Sequence, residues 1–346
     1  MLALLLWATS LAAAPAGAYA WLVQWRHANP VWRGIQLSVP DDRAADALIA
    51  EIPKLETRGV NALVLEIDYH FAFKAHPELR LNPCLTRDKA AELARVCREH
   101  GIRPVPLFNC LGHQSWARTT FPLLAKYPEL DETPGVAPGN EGIYCRSWCP
   151  LNPKVNRIVF ELIDEIADAF SADAFHVGMD EVFLIGSAHC PRCRGRDPAK
   201  LFAKAVKDLH AHITHHRKME MLMWGDRFLD AKTMGYGKWE SSANGTYPAL
   251  DRVPKDIILC DWHYEKRADY PSVAWFLKRG FRVWPCGWKN VEATTALINC
   301  EQAHSGQRML GHLCTTWSAV RIPQLADWPP VLTAMERWPM GKRPRE

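Results

Sequence analysis

The chain has 346 residues, 48% of them hydrophobic and 23% charged, and these values exclude a disordered, collagen-like or coiled-coil protein. The 42 basic residues are interspersed with 38 acidic ones, which gives a net charge of +4 without the long basic runs of a nucleic-acid-binding surface. The composition therefore predicts one folded protein of a length that suits a single α/β barrel, with no nucleic acid as partner.

The N-terminal segment is typical of an export signal. Residues 1–20 contain no charged side chain, begin with an apolar stretch and end in the small-residue sequence AGAYA. The apolar run continues to Val23, so an uncleaved N-terminal anchor is the alternative. We therefore expect a periplasmic or extracellular protein whose mature part, residues 21–346, has no membrane contact beyond that segment.

Eight short apolar runs alternate with helical patterns along the rest of the chain. They are apolar almost throughout, as strands buried on both faces are. In chain order the runs are GIQLSV (34–39), ALVLEI (62–67), VPLFN (105–109), AFHVGMD (174–180), MLMWGD (221–226), IILCDWHY (257–264), RVWPCGW (282–288) and MLGHLCTTW (309–317). Their alternation with helices is typical of βα units around a parallel sheet.

The intervening segments carry helix start and stop signals. Asn152 and Pro153 suit the N-cap and first position of a helix, and residues 198–214 repeat apolar residues at helical spacing. Three glycines suit helix ends just before a strand, namely Gly59, Gly101 and Gly280. Eight such units predict a single-domain (β/α)8 TIM barrel followed by a C-terminal helical tail.

The cysteine pattern does not by itself distinguish disulfide bridges, a metal site and free thiols. Eleven is an odd number, so at least one thiol stays unpaired within the chain even in an oxidising compartment. The closest pairs are Cys145 with Cys149 and Cys190 with Cys193, which suit two bridges or one four-thiolate zinc site. The spacing between the pairs exceeds that of ordinary zinc ribbons, which favours a loop staple or plain thiols over zinc.

In a TIM barrel the active site lies at the carboxyl ends of the strands. The predicted strand ends are rich in acids and in the aromatic residues of a chain with fifteen tryptophans. Rings that pack on sugar C–H faces, beside acids and amides that bind hydroxyls, indicate a carbohydrate site. In chain order these residues are Glu66, Asp68, Asn109, His113, Asp180, Glu181, Trp224, Asp226, Trp262, Tyr264, Trp288 and Trp317.

Asp180 and Glu181 are neighbours at the end of the fourth predicted strand. Ordinary retaining glycosidases place two carboxyl groups about 5 to 5.5 Å apart on opposite sides of the bond, usually from different elements. Adjacent acids suit instead a reaction in which one protonates the leaving oxygen and the other steadies a nucleophile supplied by the substrate. A pair of acids on a solvated loop is the alternative.

The segment HVGMDE resembles the H-x-G-G-D-E signature of glycoside hydrolase family 20, the β-N-acetylhexosaminidases, and most closely their hexosaminidase D-like branch. The resemblance covers about 290 residues. It implies removal of terminal β-linked GlcNAc or GalNAc from a glycan or glycoconjugate, with retention and without metal or cofactor. Glu181 would be the general acid and base, kept protonated by burial beside Asp180, and Asp180 would orient the 2-acetamido group.

The same resemblance implies further substrate-binding residues, with the Tyr264 hydroxyl as the candidate that fixes the acetamide carbonyl. They are Arg33, His113, His176, Trp224, Asp226, Trp262, Tyr264 and Trp317.

Three positions depart from the family pattern. Ala319 stands where many members have a carboxylate, Asn109 replaces an acidic residue, and Met179 replaces the second glycine of the signature. We expect these differences to change the substrate specificity rather than to abolish the activity. Two other functions remain open, a non-catalytic carbohydrate-binding barrel and a metal-dependent hydrolase that would use His113, His176 and Asp226 as ligands.

Overall fold

The computed structural model describes residues 16–137 and 139–338. Ten strands lie in these ranges, and eight of them close into a parallel barrel while the other two form a small antiparallel hairpin. The strands are β1 (Trp32–Ser38), β2 (Ala62–Glu66), β3 (Arg103–Cys110), β4 (Ser115–Trp116), β5 (Thr119–Thr120), β6 (Ala174–Gly178), β7 (Glu220–Trp224), β8 (Ile258–Trp262), β9 (Arg282–Gly287) and β10 (Gly311–Thr315).

The barrel closes because β1 pairs in parallel with both β2 and β10, so that the ring reads β1-β10-β9-β8-β7-β6-β3-β2. All eight predicted strands are present, and the predicted (β/α)8 fold is confirmed. The α-helices within the described ranges are α1 (Ala16–Ala28), α2 (Asp42–Arg58), α3 (Arg87–Glu99), α4 (Pro122–Lys126), α5 (Pro153–Phe170), α6 (Pro198–His210), α7 (Ala231–Met234), α8 (Pro271–Lys278), α9 (Val291–Ala303) and α10 (Pro329–Arg337).

The helix boundaries follow the sequence signals. The side chain of Asn152 accepts a hydrogen bond from the amide of Lys154 and caps α5, whose first residue is Pro153. Helix α2 ends at Gly59, which adopts a left-handed conformation with φ of 90°. These caps fix where each helix stops and therefore where the following strand begins.

The apolar core has two parts. The larger one lies between the strands and the surrounding helices, and the smaller one fills the barrel interior. The interior part includes Trp32 and Trp284, whose rings meet edge to face at 5.2 Å. Several of the fifteen tryptophans therefore pack in the barrel interior, where this fold generally has bulky side chains.

Helix α1 covers the amino end of the barrel. Leu22 and Trp25 are buried there, the indole of Trp25 donates to the carbonyl oxygen of Gly101 at 3.0 Å, and Arg26 pairs with Glu220 at 2.8 Å. Most of the expected export signal, residues 1–15, lies outside the described residues. Every helix within the described ranges is too short or too polar to cross a bilayer.

Candidate active site

The structure brings Asp180 and Glu181 to the carboxyl end of the barrel, directly after β6. The chain turns sharply there, with positive φ at Gly178 (63°), Met179 (72°) and Glu181 (47°). A Cβ on Gly178 would lie 2.4 Å from the Oδ1 atom of Asn109, so only glycine fits this approach. The methionine that replaces a family glycine thus adopts the left-handed conformation itself, and such strain in non-glycine residues is common at functional sites.

His113 joins the two acids. Its Nε2 atom lies 3.3 Å from Oδ2 of Asp180 and 3.3 Å from Oε2 of Glu181. Burial opposes a charge on the imidazole, but the two carboxylates outweigh it and raise the pKa of His113 well above its ordinary value. Burial likewise opposes the charge on Asp180, and the nearby imidazole more than offsets this, so that the pKa of Asp180 falls below its ordinary value.

Asp226 holds the backbone of the acid pair in place. Its Oδ2 atom accepts hydrogen bonds from the amide of Glu181 at 2.9 Å and from Nε of Arg227 at 2.6 Å. Burial raises the pKa of Asp226 to about 6, against the lowering effect of Arg227 and with a further contribution from the charge of Asp180. This side chain therefore titrates in the range where many enzymes work.

A second group of acids lies beside the pair, at the end of β2, which only β3 separates from β6 in the ring. Asn109 donates through Nδ2 to Glu66 at 3.2 Å and to Asp68 at 3.0 Å, and Gln36 donates to the other oxygen of Glu66 at 2.9 Å. Burial, followed by the charges of Asp68 and Asp180, raises the pKa of Glu66 to about 8. The departure from the family pattern at Asn109 thus supplies an amide that binds two carboxyl groups.

Aromatic side chains form the wall opposite the acids. The indole of Trp317 donates to the hydroxyl oxygen of Tyr264 at 2.6 Å, and the Tyr264 ring lies 5.0 Å from that of Trp262. An indole can only donate, so Trp317 does not use the hydrogen of the Tyr264 hydroxyl. The Oγ1 atom of Thr315, which donates to the carbonyl oxygen of Gly287 at 2.8 Å, lies 3.3 Å from the same hydroxyl. Burial raises the pKa of Tyr264 well above its ordinary value, which keeps this donor protonated.

Several buried polar atoms of this end have no hydrogen-bond partner within the described part of the chain. Such atoms are costly in a folded protein unless a ligand or water satisfies them. Among them are two acceptors and two donors, namely Oδ1 of Asp180, Oδ1 of Asp226, Nε1 of Trp224 and Nε1 of Trp262. Their mixture suits a ligand that offers both donors and acceptors, as sugar hydroxyls and amides do.

The rim carries an exposed aromatic cluster that the sequence analysis did not identify. Tyr144 lies 4.9 Å from Trp239, 5.4 Å from Trp116 and 5.6 Å from Phe183 between ring centroids. Burial and the nearby carboxylate of Glu181 raise the pKa of Tyr144 above its ordinary value. Trp116 lies in the two-residue strand β4 and the other three lie in loops, so that neither strand nor helix periodicity marks these positions. Their aromatic character was the only feature of the sequence that could have identified them.

The prediction that Arg33 is a substrate-binding residue is wrong. Arg33 is the second residue of β1, and its Nε atom donates to the carbonyl oxygen of Gly59 at 2.6 Å, at the amino end of the barrel. About five residues of strand, roughly 16 Å, separate it from the mouth. The side chain of β1 that reaches the acids is Gln36 instead.

His176 lies within the barrel, below the acid pair. It is fully buried, its Nδ1 atom accepts from the amide of Gly178 at 3.0 Å, and its ring packs 4.4 Å from Trp224. It therefore supports the site from beneath. The proposed metal-ligand set of His113, His176 and Asp226 is not assembled, because His113 pairs with the acids while Asp226 pairs with Arg227.

Comparisons with known proteins agree with this architecture. The family model "Glycosyl hydrolase family 20, catalytic domain" matches residues 35–319. A β-hexosaminidase of Vibrio furnissii is 23% identical over 233 residues, which make up 66% of this chain and 34% of that relative. The chain thus spans about a third of the length of this relative.

Solved structures share the fold. The chitobiase of Flavobacterium johnsoniae matches with a TM-score of 0.61 at 20% identity, over 88% of this chain and 48% of that one. The exo β-N-acetylglucosaminidase of Vibrio harveyi, solved in complex with N-acetylglucosamine, matches with a TM-score of 0.63 at 15% identity, over 91% and 55% of the two chains.

Proposed function

Because the chain belongs to glycosyl hydrolase family 20, we propose that it is an exo-acting β-N-acetylhexosaminidase that cleaves with retention and with help from the substrate. The observation that carries this proposal is the placement of Asp180 and Glu181. Both acids leave β6 at the barrel mouth, and each has an oxygen 3.3 Å from the same nitrogen of His113. Aromatic side chains and unsatisfied buried polar atoms surround them.

The substrate class follows from the chemistry of the mouth. A terminal GlcNAc or GalNAc residue presents a C–H face to Trp262 and Trp317, hydroxyls to Asp226, and an acetamide to Asp180 and Tyr264. The β-hexosaminidase relative and the complex of the Vibrio harveyi enzyme with N-acetylglucosamine support an aminosugar as the bound group.

In the first step, Glu181 gives its proton to the glycosidic oxygen. The carbonyl oxygen of the substrate acetamide attacks the anomeric carbon, and the bond to the leaving group breaks with its electron pair on the protonated oxygen. Asp180 accepts the acetamide N–H and faces the positive charge that develops on the ring closed by this attack. The Tyr264 hydroxyl donates to the carbonyl oxygen, and His113 compensates the charge of Asp180.

In the second step, the carboxylate of Glu181 takes a proton from water. The resulting hydroxide attacks the anomeric carbon, the acetamide ring opens, and the product keeps the β configuration. Since the substrate supplies the nucleophile, the proposed reaction requires no metal ion or cofactor.

The variant Glu181→Gln tests the proposal, because it keeps the shape of the side chain and removes the proton donor. We expect wild-type protein to release nitrophenol from aryl β-N-acetylglucosaminide or galactosaminide, and the variant to be at least about a thousandfold slower. The exposed Glu292→Gln variant, 74% exposed in its side chain, should keep wild-type rates. Turnover of wild type no higher than that of Glu181→Gln on any aminosugar would refute the proposal, and sugar binding without turnover would identify a carbohydrate-binding barrel.

We also propose export, on the composition of residues 1–20. Cleavage after Ala20 would leave Trp25 and Arg26 free to keep their contacts with the barrel. Nine of the eleven unpaired cysteines are buried, which would shield their thiols outside the cell. N-terminal sequencing of protein from the periplasm or medium should give Trp21 as the first residue, whereas recovery only from the cytoplasm would contradict export.

A further inference from the structure

Four side chains with metal-binding atoms converge outside the barrel mouth. The carboxylate of Glu132 and the thiols of Cys149, Cys190 and Cys193 are all buried, and their ligand atoms lie within 4.8 Å of one another. Two separate segments supply them, one before α5 and one between β6 and α6. The second segment is the continuation of the chain that carries Asp180 and Glu181.

Backbone pairing holds the first two of these residues side by side. The amide of Glu132 donates to the carbonyl oxygen of Ser147 at 2.9 Å, and the amide of Cys149 donates to that of Leu130 at 2.7 Å. Cys190 and Cys193 lie in one turn, with the two-residue separation that is common among zinc ligands. The four ligand positions are therefore set by the fold.

The sulfur distances suit a shared ion better than a disulfide. The Sγ atom of Cys149 lies 3.3 Å from that of Cys193 and 3.4 Å from that of Cys190. A disulfide bond needs about 2.05 Å, and all three thiols are unpaired. Zinc–sulfur bonds of about 2.3 Å in a tetrahedron place sulfurs about 3.8 Å apart, which is within a few tenths of an ångström of both separations.

Glu132 provides an independent indication of a ligand. Its Oε1 atom accepts hydrogen bonds from the amides of Gly186 and Ser187, while Oε2 is buried without a partner in the described part of the chain. A carboxylate oxygen buried in this way is costly unless a cation satisfies it. The two amides fix the orientation of the carboxylate, as partners of metal ligands generally do.

The four-thiolate set, which the spacing made less favoured than a loop staple or plain thiols, is not assembled in the structure. Cys145 lies apart from the cluster, and its Sγ atom donates to the backbone carbonyl of Glu181 at 3.4 Å. Glu132, distant from any cysteine in the sequence, takes the fourth place.

We propose that Glu132, Cys149, Cys190 and Cys193 bind one zinc ion. Thiolate sulfur selects zinc among the common divalent ions, and four protein ligands make a closed structural site with no position for substrate. The ion ties the loop after Glu181 to the segment before α5, and it takes no part in the proposed hydrolysis.

The first test is the metal content of the full chain after dialysis against a weak chelator. We expect about one zinc per chain in the wild type and less than a tenth of that in Cys193→Ala. The matched control Cys97→Ala removes a fully buried thiol of α3 outside the cluster and should keep its zinc. A chain without zinc, or a Cys193→Ala variant that keeps it, would overturn the proposal.

The second test covers the case in which Cys193→Ala fails to fold. Glu132→Gln preserves side-chain shape and three thiolates, and we expect it to bind zinc about 10- to 100-fold more weakly in competition with a chromophoric chelator. Cobalt-loaded wild type should show thiolate-to-metal charge transfer. Unchanged zinc affinity in Glu132→Gln, or a disulfide of Cys149 in the non-reduced peptide map, would contradict the site.

Discussion

The two ends of the barrel both concentrate charge, but only the amino end neutralises it. There, Arg103 is fully buried and pairs with Asp173 at 2.7 Å and with Glu220 at 2.8 Å, while Arg26 and Arg282 also bind Glu220. Burial opposes the charge of Glu220, but the three arginines outweigh it and lower its pKa below the ordinary value. This end is built as an ion-pair network that stabilises the fold.

The carboxyl end has more acids than cations. Five carboxyl groups meet there with His113 and Arg227, and burial, followed by the nearby negative charges, raises the pKa of Glu66 to about 8 and of Asp226 to about 6. Non-glycine residues with positive φ also cluster at this end, among them Asp68, His113, Glu181 and Trp317. An excess of carboxyl groups and backbone strain both lower stability, and their occurrence together is typical of a functional site.

After Glu181→Gln, the next largest effect should follow from Asp180→Asn. An amide keeps the shape of the side chain but cannot face a positive intermediate with a full negative charge, so kcat should fall about 10²- to 10³-fold. The pKa of His113, titrated by NMR, should fall at the same time because its main partner is neutral. A variant with the wild-type kcat would remove the role assigned to Asp180.

A substitution at the amino end of the barrel should lower the stability of the protein and leave its activity unchanged. Glu220→Gln leaves Arg103 without one of its buried partners and should lower the free energy of unfolding by about 3 kcal/mol, measured with urea at pH 7. The folded-state pKa of Glu220 lies below the ordinary 4.5, so its stabilisation is complete above pH 4.5 and is lost as the pH falls. Wild type and variant should therefore converge in acid.

The control for this change is Glu292→Gln, which removes a carboxylate from an exposed pair with Lys266 and should cost less than about 0.5 kcal/mol. Below the melting temperature, kcat of Glu220→Gln should equal that of the wild type. A loss of kcat without a loss of stability would show that the two ends are not separate in function.

A smaller change should appear in Asp226→Asn. The amide can keep both hydrogen bonds of Oδ2, yet it offers a donor in place of the free oxygen, so kcat/KM at pH 7 should fall roughly tenfold. In the wild type, kcat/KM should decline below pH 6 as Asp226 takes up a proton. The variant should lack that decline, and a profile of the wild-type shape would show that another group causes it.

The same substitution has a defined effect on stability. The folded-state pKa of Asp226, about 6, lies above its ordinary 3.8, so the folded chain holds this proton more tightly than the unfolded chain. The contribution of Asp226 to stability therefore falls as the pH rises from 3.8 to 6. Unfolding of Asp226→Asn should lack this component.

The smallest effect should come from the rim. Trp239, 41% exposed and in contact with Tyr144, would stack on the sugar beyond the cleaved bond. Trp239→Ala should raise KM for a disaccharide roughly fivefold and leave KM for an aryl monosaccharide unchanged. Trp275→Ala, at a similarly exposed position on α8, should change neither, and equal changes in both variants would exclude a sugar contact.

The sequence was sufficient for the barrel and for the residues that directly follow its strands. Apolar runs identify buried parallel strands, and the fold rule then places Asp180, Glu181, Asp226 and Tyr264 at one end without further information. The prediction that Arg33 binds substrate was wrong because a motif match does not tell how far along a strand a residue lies.

Residues from the long loops could not be placed in this way. The positions of Tyr144, Trp239 and Glu132 depend on tertiary contacts rather than on periodicity. One such contact is the buried pair of Arg146 with Asp131, which fixes the segment between α4 and α5. The sequence offered residue types there, but no geometry.

The most direct test of the account is the configuration of the first product, followed by ¹H NMR during hydrolysis of an aryl N-acetyl-β-glucosaminide. Substrate assistance by the acetamide, with Glu181 acting first as acid and then as base, predicts that the β-anomer forms first and mutarotates later. Initial formation of the α-anomer would contradict the roles assigned to Asp180 and Glu181.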